Sequence, residues 1–532
     1  MPLNETPTIP QGEPILHWLA LADALKPGIR EQEQLPLNCI KARANPAHPM
    51  RFESQAACSI QELEQRSIRA GDSVIIDFGG HRTGYLSFKL RATGREADAP
   101  VRLRLVFGEV LNDVASPLYP YSAWLSQAWL PEEIITVDDI PQDVRVPRRH
   151  AFRFVLLEVI ATSKEFAVQV HKVRAHAVTS APATFNELPT QVPDWVRRVD
   201  EVSIATLRDC MQTCFEDGPR RARRLWIGDL RLQAMTSYRV YGNEVDMQLV
   251  KRCLYLFAGL PREDGLVNAC VYERPRPTYA NIVALDYSAL YAVVLCEYVV
   301  ASGDHEAGLD LWPVARRQLE LLLQHVGPDG LFSDPGDVWI FIDWADELER
   351  SSAMQGVLLF SLQKLLALAQ ILGLNDEVVQ WKVLAQQMQT QARAQYWDTD
   401  QQLFVSGEGG QVSCASQAWL VLAGVAPDDL LGAAAVRKAM ERADSVKPVT
   451  PYLYHYLVEA LHSCGDRAGA TALLKHYWGG MAELGADTFW EAYNPKDPLH
   501  SPYGDSHANS YCHAWSCTPA FFFRETGFFN VL

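Results

Sequence analysis

APATFNELPTQVPDW, residues 181–195, divides the chain into two halves that obey different hydrophobic periods. Its three prolines sit among polar residues, the composition of a connector between folded units. Before it the period is two. SVIIDF (73–78) leads into GYLSFKL (84–90), where Leu86, Phe88 and Leu90 alternate with Ser87 and Lys89. VRLRLVF (101–107) sets Val101, Leu103, Leu105 and Phe107 against Arg102 and Arg104, and FRFVLLEV and FAVQVHKV follow. Several short alternating runs predict an antiparallel β-sandwich. After the connector the period becomes helical: Leu207, Cys210, Met211 and Cys214 fall on one face of a helix.

From there the sequence predicts twelve helices, over 195–214, 226–241, 244–258, 281–302, 305–326, 346–372, 375–396, 413–424, 430–443, 451–463, 466–480 and 508–523. Glycine follows several of them, as in HVGPDG and ILGLND. Twelve helices make six hairpins, the count of an (α/α)6 barrel. The expected organisation is an N-terminal β-sandwich domain over 1–180, a linker over 181–194 and the barrel over 195–532. In such an up-and-down array alternate connections emerge at one end. Here those are the stretches near 215–225, 259–280, 327–345, 397–412, 444–450 and 481–507. Most are long, and they concentrate Trp, Asp and Glu, so they define a working end.

At 532 residues the chain exceeds one ordinary core, and 48% hydrophobic with 21% charged residues is a globular composition. A formal net charge of −16 disfavours nucleic acid and anionic membrane surfaces as partners and suits a neutral ligand such as a sugar. No run of eighteen uninterrupted apolar residues occurs. MPLNETPTIPQGEPILHWLALADAL has no basic stretch followed by a long apolar one, so no signal peptide is read. Eleven cysteines without framework spacing suggest reduced thiols, hence a cytoplasmic location and a substrate small enough to be imported.

Three working-end loops carry candidate chemistry. EDGPRRARRLWIGDLRLQA (216–234) packs acids, the four arginines Arg220, Arg221, Arg223 and Arg224 and a tryptophan before a helix; a capping turn with a solvated charge run explains it equally well. SDPGDVWIFIDWADE (333–347) sets Asp337, Asp343 and Asp346 beside Trp339 and Trp344. That pairing offers an apolar face to stack a sugar on and acceptors for its hydroxyls, although both rings also suit a barrel core. ADTFWEAYNP (486–495) places Glu491 beside Trp490 and Tyr493, where an apolar setting would raise its pKa and suit a general base; a surface or capping glutamate is the plainer reading. Cys512, His513 and Cys517 lack the second ligand pair of a zinc site, and SGEGGQ (406–411) lacks the Lys-Ser/Thr of a phosphate loop. Neither His-Glu-x-x-His nor Gly-x-Ser-x-Gly occurs.

From about residue 72 to the C-terminus these motifs, in order, resemble glycoside hydrolase family 78, the α-L-rhamnosidases, in their compact bacterial form. DFGGHRTGYLSFKL and RHAFRFVLLEV resemble the family's β-domain segments. EDGPRRARRLWIGD resembles its Asp-Cys-Pro-Gln-Arg-Glu-x-x-Gly-Trp-x-Gly-Asp stretch, and LDYSALYAVVLCEYVVASGD, IFIDWAD, DTFWE and CHAWSCTP match in sequence order. The resemblance implies Asp217, Arg221, Trp226, Asp229, Trp339, Asp343, Trp344, Trp490 and His513 as sugar-binding positions and Glu491 as general base. It implies no cofactor or metal, a small rhamnoside or L-rhamnose as partner, and allows a homodimer. It implies removal of terminal α-L-rhamnose with inversion, by two carboxyls roughly 6.5–9.5 Å apart. The departure is Ala222, which stands where the family places its general acid. A chain inactivated by substitution, a natural sugar-binding pseudoenzyme, and transfer of the acid role to Asp217 or Asp229 each account for it. A hydrolase of unsaturated uronic sugars on the same barrel is the alternative enzyme; the mixture of acids with arginines does not exclude it.

Overall fold

The computed structural model describes residues 13–242, 244–525 and 528. The alternating segments form one antiparallel sheet of nine strands: β1 (Arg30–Gln34), β2 (Asn38–Ala44), β3 (Phe52–Cys58), β4 (Ser73–Thr93), β5 (Val101–Gly108), β6 (Glu132–Val137), β7 (Gln142–Arg145), β8 (His150–Ala161) and β9 (Ala167–Thr179). The 21-residue β4 serves two layers. Its first part, Ser73–Asp77, lies against β8, with β2 pairing Ile75–Asp77; its second part, Gly84–Thr93, pairs with β9, and β7 lies along Ser87–Leu90. The sheet thereby folds over its own core. Leu86, Phe88 and Leu90 meet Leu103, Leu105, Val155, Leu157, Val168 and Val170, so the alternation read from the sequence is the inner face of the fold.

Two short helices, α2 (Ile60–Gln65) and α3 (Leu111–Ala115), decorate this domain. The N-terminal helix α1 (Glu13–Ala24) was not anticipated. It packs on α6 (Glu244–Ala258) of the helical body, away from the sheet, so a purely β unit over 1–180 does not describe this end of the chain.

The helical body begins with α4 (Asp194–Cys210), α5 (Ile227–Val240) and α6, then α7 (Leu285–Ser302), α8 (His305–Leu322), α9 (Ser351–Leu372) and α10 (Val379–Tyr396). It continues with α11 (Cys414–Leu422), α12 (Asp429–Glu441), α13 (Pro451–Ser463), α14 (Arg467–Glu483) and the short α15 (Pro519–Phe522). Contacts run α5 to α7, α7 to α9, α9 to α11 and α11 to α13, an inner ring whose members alternate in sequence with outer helices. Two inner helices, α7 and α9, are long and apolar enough to cross a membrane by length and composition; their apolar length is used against neighbouring inner helices. Helix ends follow the sequence signals: Asp304, Ser413, Asp428, Thr450 and Asp466 cap N-termini, and Gly373 takes the left-handed conformation (φ 75°) that stops α9.

The sixth inner helix expected over 508–523 is absent. Only a 3₁₀ turn (Ala514–Ser516) and α15 form there, and they close the ring between α13, α5 and α4. The preceding residues are not helical because their hydrogen bonds go elsewhere: Glu491 N–H donates to Ser510 O (2.9 Å) and His513 N–H to Phe489 O (2.8 Å). Similarly α7 and α9 begin at Leu285 and Ser351, later than 281 and 346. The carboxylate of Asp286 accepts Phe341 and Ile342 N–H (both 3.0 Å), and Arg350 donates to the carbonyls of Ala345 and Leu348, which holds the loop before α9 in irregular form.

Candidate active site

The connection from α4 to α5 folds back on itself: Asp217 N–H donates to Arg224 O (2.8 Å), and Arg224 N–H to Asp217 Oδ1 (3.0 Å). Arg223 takes a left-handed φ of 54° to make the turn. Arg220 fastens the loop to the β domain through a bidentate pair with Asp113. The loop thus brings Asp217, Arg221 and Ala222 to the wall of one cavity. β10 (Leu225–Trp226) pairs with β11 (Cys270–Tyr272), which pairs with β12 (Thr278–Tyr279), placing Trp226 beside them; Asp229 follows in the first turn of α5.

These residues share one cavity of about 310 Å³ with Trp339 and Trp344 from the α8–α9 connection and Glu491 and His513 from the α14–α15 connection. Nine of the eleven positions singled out from the sequence therefore converge: Asp217, Arg221, Ala222, Trp226, Asp229, Trp339, Trp344, Glu491 and His513. Two do not. Asp343 is 1% exposed, and its carboxylate accepts Val449 N–H (2.7 Å), Thr450 N–H (3.2 Å) and the Thr450 hydroxyl (2.5 Å). It braces the start of α13 and does not line the cavity. Trp490 is 1% exposed and packs between Tyr493 and Tyr511, behind Glu491. Pocket residues missed in the sequence are Tyr287, Phe341, Tyr503 and Trp515, with Trp124 and Trp129 from the β domain. Phe341, Tyr287 and Trp515 lay inside quoted motifs and Tyr503 in the SPYGDSHANSY stretch that continues the last working loop; Trp124 and Trp129 had no local mark.

Glu491 does not have the raised pKa that aromatic neighbours suggested. Burial opposes its charge, but the Arg221 guanidinium (2.9 and 3.0 Å to its two oxygens), the Tyr503 hydroxyl and Ser510 N–H (3.3 Å) outweigh burial and hold it below the usual carboxylate range. Arg221 also lies 4.3 Å over the Tyr503 ring. The opposite holds for the two aspartates. Burial pushes Asp217 up to about 7 despite the N–H of Arg224 and Gly218, and burial with the charges of Asp217 and Glu491 pushes Asp229 well above its ordinary value. Burial drives His513 down to about 4, so it is neutral at neutral pH. The pocket therefore sets a carboxylate whose pKa is lowered beside Arg221 against two aspartates whose pKa values are raised.

Four buried polar atoms of this pocket make no hydrogen bond within the protein: Asp229 Oδ1, His513 Nδ1, Arg221 Nε and Trp344 Nε1. The first two are 3.6 Å apart, beyond hydrogen-bond range. Their shared location is what a polar ligand requires. Among the described residues no group of three His, Cys, Asp or Glu is arranged to hold a metal ion.

Residues 36–177 match the model of the glycosyl hydrolase family 78 alpha-rhamnosidase N-terminal domain, and residues 190–526 that of the bacterial alpha-L-rhamnosidase six-hairpin glycosidase domain. A Klebsiella oxytoca rhamnosidase solved with rhamnose bound is 41% identical, with a TM-score of 0.93 over 96% of this chain and 99% of that one. A Bacillus family 78 rhamnosidase (22% identity, TM-score 0.73) shares the fold over 88% of this chain and 49% of its own. A Streptomyces avermitilis α-L-rhamnosidase complexed with L-rhamnose (18%, 0.68) does so over 94% and 44%. No curated relative matches.

Proposed function

The chain belongs to glycoside hydrolase family 78, the α-L-rhamnosidases, and from that premise we propose that its pocket binds the terminal L-rhamnose of small rhamnosides and cleaves them with inversion, Glu491 acting as base. One observation carries the reading: Glu491, gripped by Arg221 and Tyr503, shares a single cavity with Asp217, Asp229 and an aromatic lining. Phe341, Tyr287 and Trp515 give the apolar surface that a 6-deoxy sugar needs for its methyl group and ring face. The unpartnered Asp229 Oδ1 meets a sugar hydroxyl, and His513 Nδ1 and Arg221 Nε complete the grip.

In the reaction, water enters on the Glu491 side, loses a proton to that carboxylate and attacks C1, while the glycosidic bond breaks on the opposite face. Arg221 and Tyr503 keep Glu491 ionised and oriented. The missing part is the proton for the leaving oxygen. Ala222 lines the cavity and has none to give. Asp217 is engaged with its own loop through Arg224 N–H, so its role is to shape the site. Leaving groups that need protonation are therefore released slowly. A second reading, sugar binding without turnover, is favoured by that same alanine. The eleven unpaired cysteines fit a cytoplasmic enzyme working on imported substrates.

Calorimetry with L-rhamnose and D-glucose tests the binding half, and NMR of the first-formed anomer tests inversion. We expect L-rhamnose to bind at least ~10-fold more tightly, a difference of about 1.4 kcal/mol, and the β-anomer to appear first. Equal affinities would remove the proposed specificity; an α-anomer would remove the role of Glu491 as base.

A further inference from the structure

Within the cavity polarity changes with depth. Its floor, Asp217, Arg221, Asp229, Glu491 and His513, is buried. Its mouth is apolar: Trp124, Leu125, Trp129, Ile282 and Trp339. Trp124 is 69% exposed, Trp129 37% and Trp339 39%. Three tryptophans left in water around one opening are costly, and every other tryptophan of the chain is at least partly buried.

The mouth is built from both domains. Trp124 and Trp129 lie between α3 and β6 of the β domain, and that segment is fixed across the domain boundary. Ser122 N–H donates to Asp505 (3.2 Å), Trp124 N–H to Tyr503 O (3.2 Å), and Trp124 Nε1 to Pro502 O (3.4 Å). The last bond uses the polar atom of the indole and leaves its ring faces free. The Trp124 ring also sits 5.5 Å from that of Tyr503, which hydrogen-bonds Glu491. So the exposed ring is held next to the reacting end of the pocket and is not a loose surface side chain.

We propose that the Trp124–Trp129 segment is the leaving-group subsite and that the site is specialised for flat phenolic rhamnosides, whose aromatic leaving group stacks in the mouth and departs as a phenolate without a proton from position 222. The inference rests on the rhamnoside-cleaving reading above and adds the leaving-group class. Two independent features agree on it: an apolar aromatic mouth, and alanine at the acid position. A sugar leaving group meets few hydrogen-bond partners in such a mouth, and its alkoxide is too basic to leave unaided. The step balances simply. Water forms the new C1–O bond and gives its proton to Glu491, the old C1–O bond breaks, and its electron pair leaves on the phenolic oxygen.

The experiment compares four ligands on the full chain: L-rhamnose, methyl α-L-rhamnoside, a rhamnosyl-glucose disaccharide and 4-nitrophenyl α-L-rhamnoside. Affinity is read by calorimetry with short injections, and turnover separately. We expect the nitrophenyl ligand to bind at least ~10-fold more tightly than the methyl and disaccharide ligands. We expect its turnover to exceed theirs by at least the ~10²–10⁴-fold that a general acid contributes. In Trp124→Ala and Trp129→Ala the affinity ratio should collapse toward one. Indole emission of the unsubstituted chain should also respond to the nitrophenyl ligand and not to methyl rhamnoside, a readout that survives if a variant folds poorly. Comparable affinities or comparable turnover across the three glycosides overturn the inference while L-rhamnose binding stands. Failure of L-rhamnose itself to bind overturns the reading beneath it.

Discussion

At the scale of single residues, the site turns on which carboxylates are free. Asp343 and Asp229 sit in motifs of the same look, yet one is taken up by backbone N–H groups and the other keeps Oδ1 without a protein partner in the cavity. Sequence reasoning cannot separate these cases, because a carboxylate beside a tryptophan is written the same way whether it meets a hydroxyl or an amide. Asp343→Ala should leave two N–H groups and a hydroxyl without their acceptor and cost about 3 kcal/mol of stability. Its affinity for L-rhamnose should persist, and loss of binding in a folded variant would restore Asp343 as a ligand. At position 222 the expectation is a gain. Ala222→Asp supplies a proton donor in the cavity and should raise turnover of methyl α-L-rhamnoside by ~10²–10⁴-fold. Unchanged rates in a variant that binds the sugar would mean that Asp217 or Asp229 already serves as acid. The pH dependence discriminates further. Asp217 has a raised folded value of about 7, so its stabilising contribution is complete below the ordinary carboxylate range and is lost as pH rises toward 7, by about 1.4 kcal/mol per unit. Asp217→Asn should flatten that part of the stability profile; an unchanged slope between pH 4 and 7 contradicts the assignment.

At the scale of elements, the legible parts were those with a local period. Leu86, Phe88 and Leu90 mark β4 because alternate side chains face one core, and α7 and α9 announce themselves by apolar length and, for α9, a terminal glycine. The last inner helix was misread since residues 508–513 carry helix-compatible spacing, while their backbone partners lie about twenty residues earlier, at 489–491. Trp124 was invisible for a stronger reason: its fixing contacts to 502–503 span more than 370 residues, and no window contains both. Close approach of elements yields a prediction. A Cβ at Gly228, in the first turn of α5, would stand 2.4 Å from the ring of Tyr287 in the first turn of α7. Neither backbone can retreat, as α5 and α7 are neighbours in the inner ring. Gly228→Ala should cost about 1–3 kcal/mol by overpacking and push Tyr287 into the cavity. Denaturant midpoint and L-rhamnose affinity should fall together; a stable variant with intact binding would show that this contact is soft.

At the scale of the whole molecule, the β domain holds the site together from outside through buried charges. Arg149 pairs with Glu216 (2.6 Å), Arg153 bridges Asp77 and Asp487 (2.9 and 2.7 Å), and Arg220 reaches Asp113. At the centre His81 of β4 lies between Asp209 of α4 (2.6 Å) and Glu109 (3.1 Å), which also accepts Tyr511 N–H (2.6 Å). Arg208 adjoins Asp209, and Arg220 approaches Glu109 at 3.6 Å. Burial opposes a charge on His81, but the nearby Cys512 sulfur together with the Asp209 and Glu109 carboxylates outweighs it and holds its pKa well above the ordinary value. A raised folded value fixes the sign. The stabilisation is fully present below the unfolded pKa near ~6.5 and is lost as pH rises through the folded value. The two domains should therefore unfold in one transition at pH 6. His81→Gln leaves the two carboxylates without a cation between them and should cost about 3 kcal/mol there. The gap between the two proteins should narrow as pH rises above the ordinary imidazole value of ~6.5 and through the raised folded value. Asp217 and Asp229 titrate in both proteins, so their effects cancel in the difference. Scanning calorimetry from pH 6 to 9 measures it directly. A difference in Tm that stays constant across that range would mean that His81 is neutral in the folded protein and that the interface is held by its arginines alone.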